Sequence, residues 1–498
     1  RTGYDVVSRN GERLPVMRYE YDDYVRMTIA ENAVGQSWRY VYDDINNAVQ
    51  SIDPSGHVTV HKYDIEGRVI EVDTAGRYKH GRFEYHKDRR QITAEYGSSA
   101  GRFEKLWFDD QDRFFMSANP LGEITYREFN DKNDLVSETD ANGHKIRYRT
   151  DSYGNPEAVI DAENREQFML WNDQGNLLVQ KDPSGNAWRY SYDDDGILTE
   201  IKDPLGHLTN IVSNEFGQPT QIMRHDGLIE FRKYDERHRL TNIIDFNSAE
   251  TIFKYDDFNR VIGIQDAAKN ITWLHYDEIK GKDFNTPSRI TRPDGVEIRR
   301  DYHPTGTIKT MTDGEGRTTK YHYGPYDVLE EIVDPKGNSL KFQYDSQERL
   351  TQVTNQLGLH WTFERDLAGR VIREEDFDRR ALNYQYDPGG RVIRRDNPDG
   401  SHLEYDYDKS GLLTELRALE PGCEDAAITT YEYDDNGALI KAVNPSATIE
   451  LERDALGRVV AETSNGVRVE SEIDCCGRRV QRRIGNQTVD YSYDGMGG

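Results

Sequence analysis

The chain has 498 residues, with 64 Lys and Arg against 90 Asp and Glu, a formal charge of −26. That balance, with a pI near 5.0, excludes the clustered cations that nucleic-acid phosphates or anionic lipid surfaces require. Hydrophobic residues are 35%, too few for a thick apolar core, whereas 11% aromatics are too many for a disordered chain, and three cysteines exclude a disulfide scaffold.

In chain order, residues 1–19 read as a lead-in segment and residues 20–498 as one repeat region. The chain opens on Arg1-Thr2-Gly3 without a Met. It stops inside a turn at Tyr493-Asp494-Gly495-Met496-Gly497-Gly498, so a processed or truncated piece is expected, with some repeats missing. No stretch approaches the ~20 apolar residues of a membrane span.

The organising phrase is Tyr-Asp-x-x-Gly-Arg-Val/Leu. Clear copies are Tyr63-Asp64-Ile65-Glu66-Gly67-Arg68-Val69 and Tyr386-Asp387-Pro388-Gly389-Gly390-Arg391-Val392. Tyr407-Asp408 and Tyr433-Asp434 begin two more, each with its glycine (Gly411, Gly437). Degenerate copies keep the frame: Tyr255-Asp256 with Asn259 in place of Gly, and Arg365-Asp366 with Gly369. The Asp position recurs at 23 anchors from residue 22 to residue 494, and fifteen of the 22 intervals are 21 residues long. A fixed period of this length marks a repeat architecture.

Half a period later comes Asp-Pro-x-Gly: Asp53-Pro54-Ser55-Gly56, Asp182-Pro183-Ser184-Gly185, Asp203-Pro204-Leu205-Gly206 and Asp334-Pro335-Lys336-Gly337. Pro presets φ, Asp caps the backbone and Gly accepts a positive φ, so these are turns. Between the turns the residues alternate. Trp38-Arg39-Tyr40-Val41-Tyr42 and Trp188-Arg189-Tyr190-Ser191-Tyr192 each put three aromatics on one face. Period two predicts strands of about six residues, two per repeat.

The fold class that follows is all-β: tandem β-hairpins of about 21 residues, wound as a superhelical single-layer sheet. About 46 strands at ~4.8 Å spacing make a ribbon of roughly 220 Å, about 70 Å across if closed in one turn. Such a ring is too wide for side chains to fill, and a single layer wet on both sides would explain the low apolar content. Two intervals of 26 residues mark insertions near 278–287 and 416–427, expected as length variation at a rim or as contact loops.

No catalytic, cofactor-binding or metal residue is read from the sequence. Asp193-Asp194-Asp195-Gly196 lacks the alternate ligands and terminal Glu of a calcium loop, because Ile197 and Thr199 take those places. Gly314-Glu315-Gly316-Arg317-Thr318-Thr319 lacks the third Gly and the helix of a dinucleotide loop. His61, His144 and His207 show no metal spacing, and Glu374-Glu375 is expected from an acidic composition. Cys475 and Cys476 are adjacent and Cys423 stands apart, so no metal knuckle forms.

The sustained Tyr-Asp frame resembles the YD-repeat family, which includes bacterial Rhs proteins, the C components of Tc insecticidal toxins, and teneurins. The opening from Gly3-Tyr4-Asp5 to Arg18-Tyr19 is similar to the start of an Rhs core. That resemblance implies part of a hollow shell enclosing a C-terminal toxin domain, delivered in many cases by type VI secretion in bacterial competition. It also implies an autoproteolytic Asp-Pro segment at the shell's end, which this chain lacks together with its catalytic aspartates. The expected protein is therefore a secreted, non-enzymatic shell segment without cofactors. Its implied partners are the toxin domain, the remaining N- and C-terminal shell parts, and a secretion-system spike or chaperone. The alternative is an extracellular YD-repeat adhesion module that binds carbohydrate or a surface protein, with Trp188 and Tyr190 as candidate contacts.

Overall fold

The structure, a computed structural model, describes residues 3–7, 13–32, 35–74, 80–96, 103–276, 286–303, 305–423, 425–474 and 477–493. Most of the insertion at 278–287, Cys475 and Cys476, and residues 494–498 lie outside them. The described residues form 46 β-strands, most of five or six residues, and two 3₁₀ turns, Lys87–Arg89 and Pro325–Asp327. The described pairings are antiparallel and join consecutive strands, as in Ala187–Tyr192 with Leu198–Lys202.

The two turns of a repeat close alike and differ in register. In the Tyr-Asp turn the Asp193 N–H donates to the Ile197 carbonyl and the Gly196 N–H to the Asp193 carbonyl. Gly196 has φ +79°, and Asn46, Asn133 and Asn259 take the same left-handed geometry at +73°, +71° and +68°. This is a type I turn followed by a left-handed residue, the connection that ends in a β-bulge. The bulge falls at the Tyr: Ser191 faces Glu200, but Tyr192 faces Leu198. The half-period hairpin that follows stays in register, with Glu200 facing Asn210 and Lys202 facing Leu208.

The chain divides into two compact units, one made of 1–122, 236–241 and 251–381, the other of 123–235, 242–250 and 382–498. Each holds two runs of hairpins from distant parts of the sequence. In the second unit, half-period turns at 140–143, 161–164 and 182–185 meet Tyr-Asp turns of the later run, as in Asn142 with Asp387 and Asn436 with Asp182. In the first, Tyr326 reaches Thr59 and Thr74. These partners lie 245 to 267 residues apart, about twelve repeats. Within each unit, turns about twelve repeats apart carry complementary hydrogen-bonding groups and meet.

The sheet is a single layer, as expected, and its two faces differ in composition. Directly opposed residues share a face. One face pairs Tyr148 with Val159, Tyr190 with Ile201 and Ile211 with Ile222, and in the first unit Phe253 with Ile264 and Phe342 with Val353. The other carries cross-strand ion pairs: Lys62–Glu71 at 3.1 Å, Arg394–Glu404 at 3.2 Å and Lys441–Glu450 at 3.4 Å. No second layer covers the aromatic face among the described residues. Their buried apolar residues are five alanines and Tyr302. The accessible surface is 29382 Å² for 57.6 kDa, against about 19,000 Å² for a compact globular chain of that mass. The second insertion lengthens one hairpin: the strands Leu413–Leu419 and Ala427–Tyr433 extend into it, with Ala418 facing Ala427.

Candidate functional site

The repeat phrase has a physical reading at each residue. The bulge leaves the carbonyl at the start of the preceding repeat's second strand without a ladder partner, and the next Tyr reaches back to it. Tyr42 donates its hydroxyl to the Met27 carbonyl, Tyr192 to that of Leu177 and Tyr407 to that of Val392, at 2.8, 2.9 and 2.8 Å. Where Tyr is replaced, the donor persists: Arg365 reaches Leu350, Arg453 reaches Leu439, and the Trp171 indole reaches Pro156.

The Asp closes its own turn. Asp64 Oδ1 accepts the N–H groups of Glu66 and Arg68, and Oδ2 accepts the Arg68 guanidinium at 2.7 Å. The Arg68 N–H, with that guanidinium, holds the Asp64 carboxyl below its ordinary value. Arg68 then lies over the Tyr85 ring of the next repeat at 4.3 Å, as Arg260 lies over Tyr276 at 4.5 Å. Tyr, Asp and Arg thus form one ladder that links each repeat to its neighbours. Sequence reading found the turn but missed the ladder. Arg365 and Arg453 at Tyr positions were the available signal.

In the second unit the meeting turns border an open cavity of about 940 Å³, lined among others by Asp140, His144, Asp161, Arg165, Arg391 and Lys409. Its charges largely hold one another. Arg165 sits 2.6 Å from Asp161 and 3.7 Å from Asp408, and Ser410 donates to Asp161 at 2.8 Å. Burial pushes Asp161 upward, but the Arg165 N–H, the Ser410 hydroxyl and the Arg165 guanidinium outweigh it and hold the carboxylate ionised. The Ser410 hydroxyl thus serves as one of the donors that hold this carboxylate in place.

The other residues weighed from sequence fall into structural places. Asp193 Oδ1 accepts from Asp195 and Ile197 N–H groups as in any repeat turn. Gly316 closes the turn that Asp313 and Arg317 bridge. His207 Nδ1 hydrogen-bonds to Asp203 at 2.9 Å, His144 Nδ1 lies 3.2 Å from Asp140 without forming a hydrogen bond, and burial lowers the pKa of His61. Glu374 faces Phe363 and Glu375 faces Thr362, so that acidic pair points to opposite sides of the sheet. Cys423 is exposed at the tip of the lengthened hairpin. Among the described residues no three His, Cys, Asp or Glu side chains gather as metal ligands, and no helix is long and apolar enough to cross a membrane. Trp188 and Tyr190 do come together: with Gln180, Asp182 and Ile201 they line a groove of about 330 Å³.

A tandem array of Tyr-Asp hairpins, laddered in this way, defines the class of YD-repeat proteins. Two family models match the chain: Teneurin YD-shell over residues 284–416 and 338–473, and RHS Repeat over 171–208. The chain is 28% identical over 328 residues, 61% of its length, to the probable deoxyribonuclease RhsB of Dickeya dadantii. It is 24% identical over 241 residues to the toxin protein Tse5 of Pseudomonas aeruginosa, covering 47% of the chain. It spans only 21% and 17% of those two relatives. The crystal structure of TcdB2-TccC3 has the same fold over 100% of this chain and 38% of its own, with TM-score 0.61 at 13% identity. The Photorhabdus luminescens Tc holotoxin pore matches 95% of this chain and 37% of its own, with TM-score 0.60 at 12% identity. Repeat phrase, family matches and fold agree in one direction: the chain is similar to Rhs and teneurin YD-shell sequences over part of its length and shares the fold of the TccC3-containing toxin structures.

Proposed function

We propose that this chain is a wall segment of the shell of an Rhs-type polymorphic toxin, enclosing a C-terminal toxin domain of the same parent protein for delivery into target cells. In this reading residues 1–19 lead into the repeats, residues 20–498 are wall, and the segment catalyses nothing itself. In the same reading the nuclease and toxin functions named for the relatives are assigned to parts of those proteins that the chain does not span. The partners are the enclosed domain and the flanking shell parts, with a secretion-system spike or chaperone. The protein is made in the bacterial cytoplasm and exported, with type VI secretion in bacterial competition as the route.

The observation that carries the reading is the aromatic face. A face rich in Tyr, Trp, Phe and aliphatic side chains, interrupted by charged residues such as Arg127, Glu138 and Glu374 and with no second layer over it among the described residues, is suited to line a chamber and hold a partly unfolded polypeptide. The charged face, with its ladder of ion pairs, is suited to solvent.

The test is limited proteolysis and cryo-electron microscopy of the parent protein. The C-terminal domain is expected to resist protease inside the parent, to be digested when expressed alone, and to appear as density within a closed wall. A C-terminal domain equally sensitive in both settings, or seen outside the repeats, overturns the proposal.

A further inference from the structure

Three consecutive Tyr-Asp turns of the first unit, 22–26, 43–47 and 64–68, carry exposed apolar side chains at their tips. Tyr24 is 78% exposed, Val25 79%, Ile45 67% and Ile65 100%. The turns stand side by side on one rim, because the strands between them pair consecutively, at about 10 Å from turn to turn, two strand spacings. Arg26 ties the first two together: its guanidinium donates to the Asp43 carbonyl at 2.8 Å and to Asn46 Oδ1 at 3.2 Å. Val25 has φ +65°, where Asn46 and Gly67 hold the same place at +73° and +77°. A β-branched residue in the left-handed region is an outlier. It lowers stability and gains no burial in return, and residues kept in such a state cluster at functional sites.

The chain itself holds a covered tip of this kind. In the turn 324–328 of the same unit Tyr326 stands two residues after the anchor, as Tyr24 does, and in both turns the anchor's N–H donates to the carbonyl four residues on. Tyr326 is seated on the half-period rim of the early run, over a cross-strand pair in which Thr59 faces Thr74. Its hydroxyl lies 2.9 Å from Thr59 Oγ1 and bonds also to Thr74, which is 2% exposed. The Tyr24 hydroxyl has no partner among the described residues. The second unit repeats the arrangement: its later Tyr-Asp turns sit on half-period turns of its early run. In these hydrogen bonds the covering rim lies 245 to 267 residues before the turn it covers.

We propose that the rim carrying Tyr24, Val25, Ile45 and Ile65 docks on the half-period rim of a preceding run of Tyr-Asp hairpins in the parent protein, with the Tyr24 hydroxyl seated on side-chain hydroxyls as Tyr326 is on Thr59 and Thr74. The recurring separation puts that run about 250 residues before Tyr24, outside this chain. The RhsB relative, of which the chain spans 21%, has room for it. Other occupants fit less well. Asp23, Asp44 and Glu66 stand among the apolar tips and repel an anionic lipid surface. A second copy offers no such seat in its early run, where Asn142, Asp161, Asp182 and the Thr59–Thr74 pair are engaged by its own later turns. That the covering run belongs to the same parent rests on the shell reading; the pairing of rim with rim rests on the turn geometry.

The test puts the photo-crosslinker p-benzoyl-phenylalanine in place of Tyr24, and separately of Ile65, in the full-length parent, and reads the crosslinked peptides by mass spectrometry. The same probe in place of Tyr326 is the control, expected to mark the strands Val58–Tyr63 and Val69–Thr74. The rim probes are expected to mark one segment of the same molecule, about 250 residues before the probe by the separation seen in the chain. Crosslinks to the C-terminal domain or to a second copy overturn the proposal, as does their absence where the control succeeds. Tyr24→Ser with Ile65→Ser is expected to leave the urea midpoint of the 498-residue chain unchanged, and in the parent to speed protease cleavage of the preceding run about tenfold. A lowered midpoint, equal cleavage, or phosphatidylcholine vesicles that sediment the chain but not the double variant would each overturn it. Protection of the C-terminal domain is read in the same digest. The expected crosslinks beside an unprotected domain keep the rim and sink the shell reading, and a protected domain without them does the reverse.

Discussion

At the residue scale, the Tyr of the repeat phrase serves as a hydrogen-bond donor as much as an aromatic ring. Tyr407→Phe keeps the ring and removes the bond to the Val392 carbonyl. The expected loss is about 1 kcal/mol of unfolding free energy, measured by urea denaturation. Tyr407→Leu is expected to lose more, since the ring under Arg391 goes as well. Tyr407→Arg is expected to lose less than Tyr407→Leu, because Arg365 and Arg453 already reach the equivalent carbonyl at 3.1 and 3.2 Å. If Arg proves the worst of the three, the donor role is wrong. The turn aspartates set the pH dependence. Asp64, Asp313 and Asp376 are held below the ordinary carboxylate value by turn N–H groups and the paired guanidinium. A folded value below the unfolded one gives stability that is complete above about pH 4 and is lost as pH falls through the folded values. The urea midpoint is therefore expected to stay level between about pH 7 and pH 5 and to drop below about pH 4. A drop between pH 7 and pH 5 would assign the titration to other groups.

At the element scale, each hairpin depends on one left-handed residue. Gly185 has φ +88°, and a Cβ there would meet nothing within 4 Å, so Gly185→Ala isolates the backbone cost from any clash. The expected destabilisation is about 1–2 kcal/mol, with Gly185→Asn milder because Asn tolerates this region. An alanine variant as stable as wild type would mean that the turn changes type. This level of structure was legible in the sequence. Asp-Pro-Ser-Gly spells a turn through the backbone preferences of its own residues, and Trp-Arg-Tyr spells a strand by alternation. The ladder was not legible, because Tyr192 meets Leu177 fifteen residues away only after the bulge shifts the register. The groove was half legible. The aromatic pair could be read from its spacing, but Gln180, Asp182 and Ile201, which complete the groove, come from neighbouring segments and meet it only once the hairpins are paired.

At the scale of the molecule, nearly all contacts are between neighbouring hairpins, so stability is close to a sum of local terms. Long-range cohesion within the second unit comes from turns meeting about 250 residues apart, a separation the repeat period alone could not give. Two asparagines form reciprocal pins there. Asn142 donates to Asp387 Oδ2 and accepts the Gly389 N–H, both at 3.1 Å. Asn436 donates to Asp182 Oδ2 at 2.8 Å and accepts the Ser184 N–H at 3.0 Å. Each bond is partly exposed and contributes on the order of 0.5 kcal/mol, so neither pin alone should change global unfolding measurably. Removing both, as Asn142→Ala with Asn436→Ala, should instead loosen the seam locally. Hydrogen exchange is expected to quicken at the Gly389 and Ser184 amides, while amides inside the strands Lys145–Thr150 and Ala381–Tyr386 keep wild-type rates. Uniform quickening across those strands would mean that the hairpins depend on the seam for their own folding. Unchanged rates at Gly389 and Ser184 would mean that Arg165, held between Asp161 and Asp408, secures the turns without the asparagines.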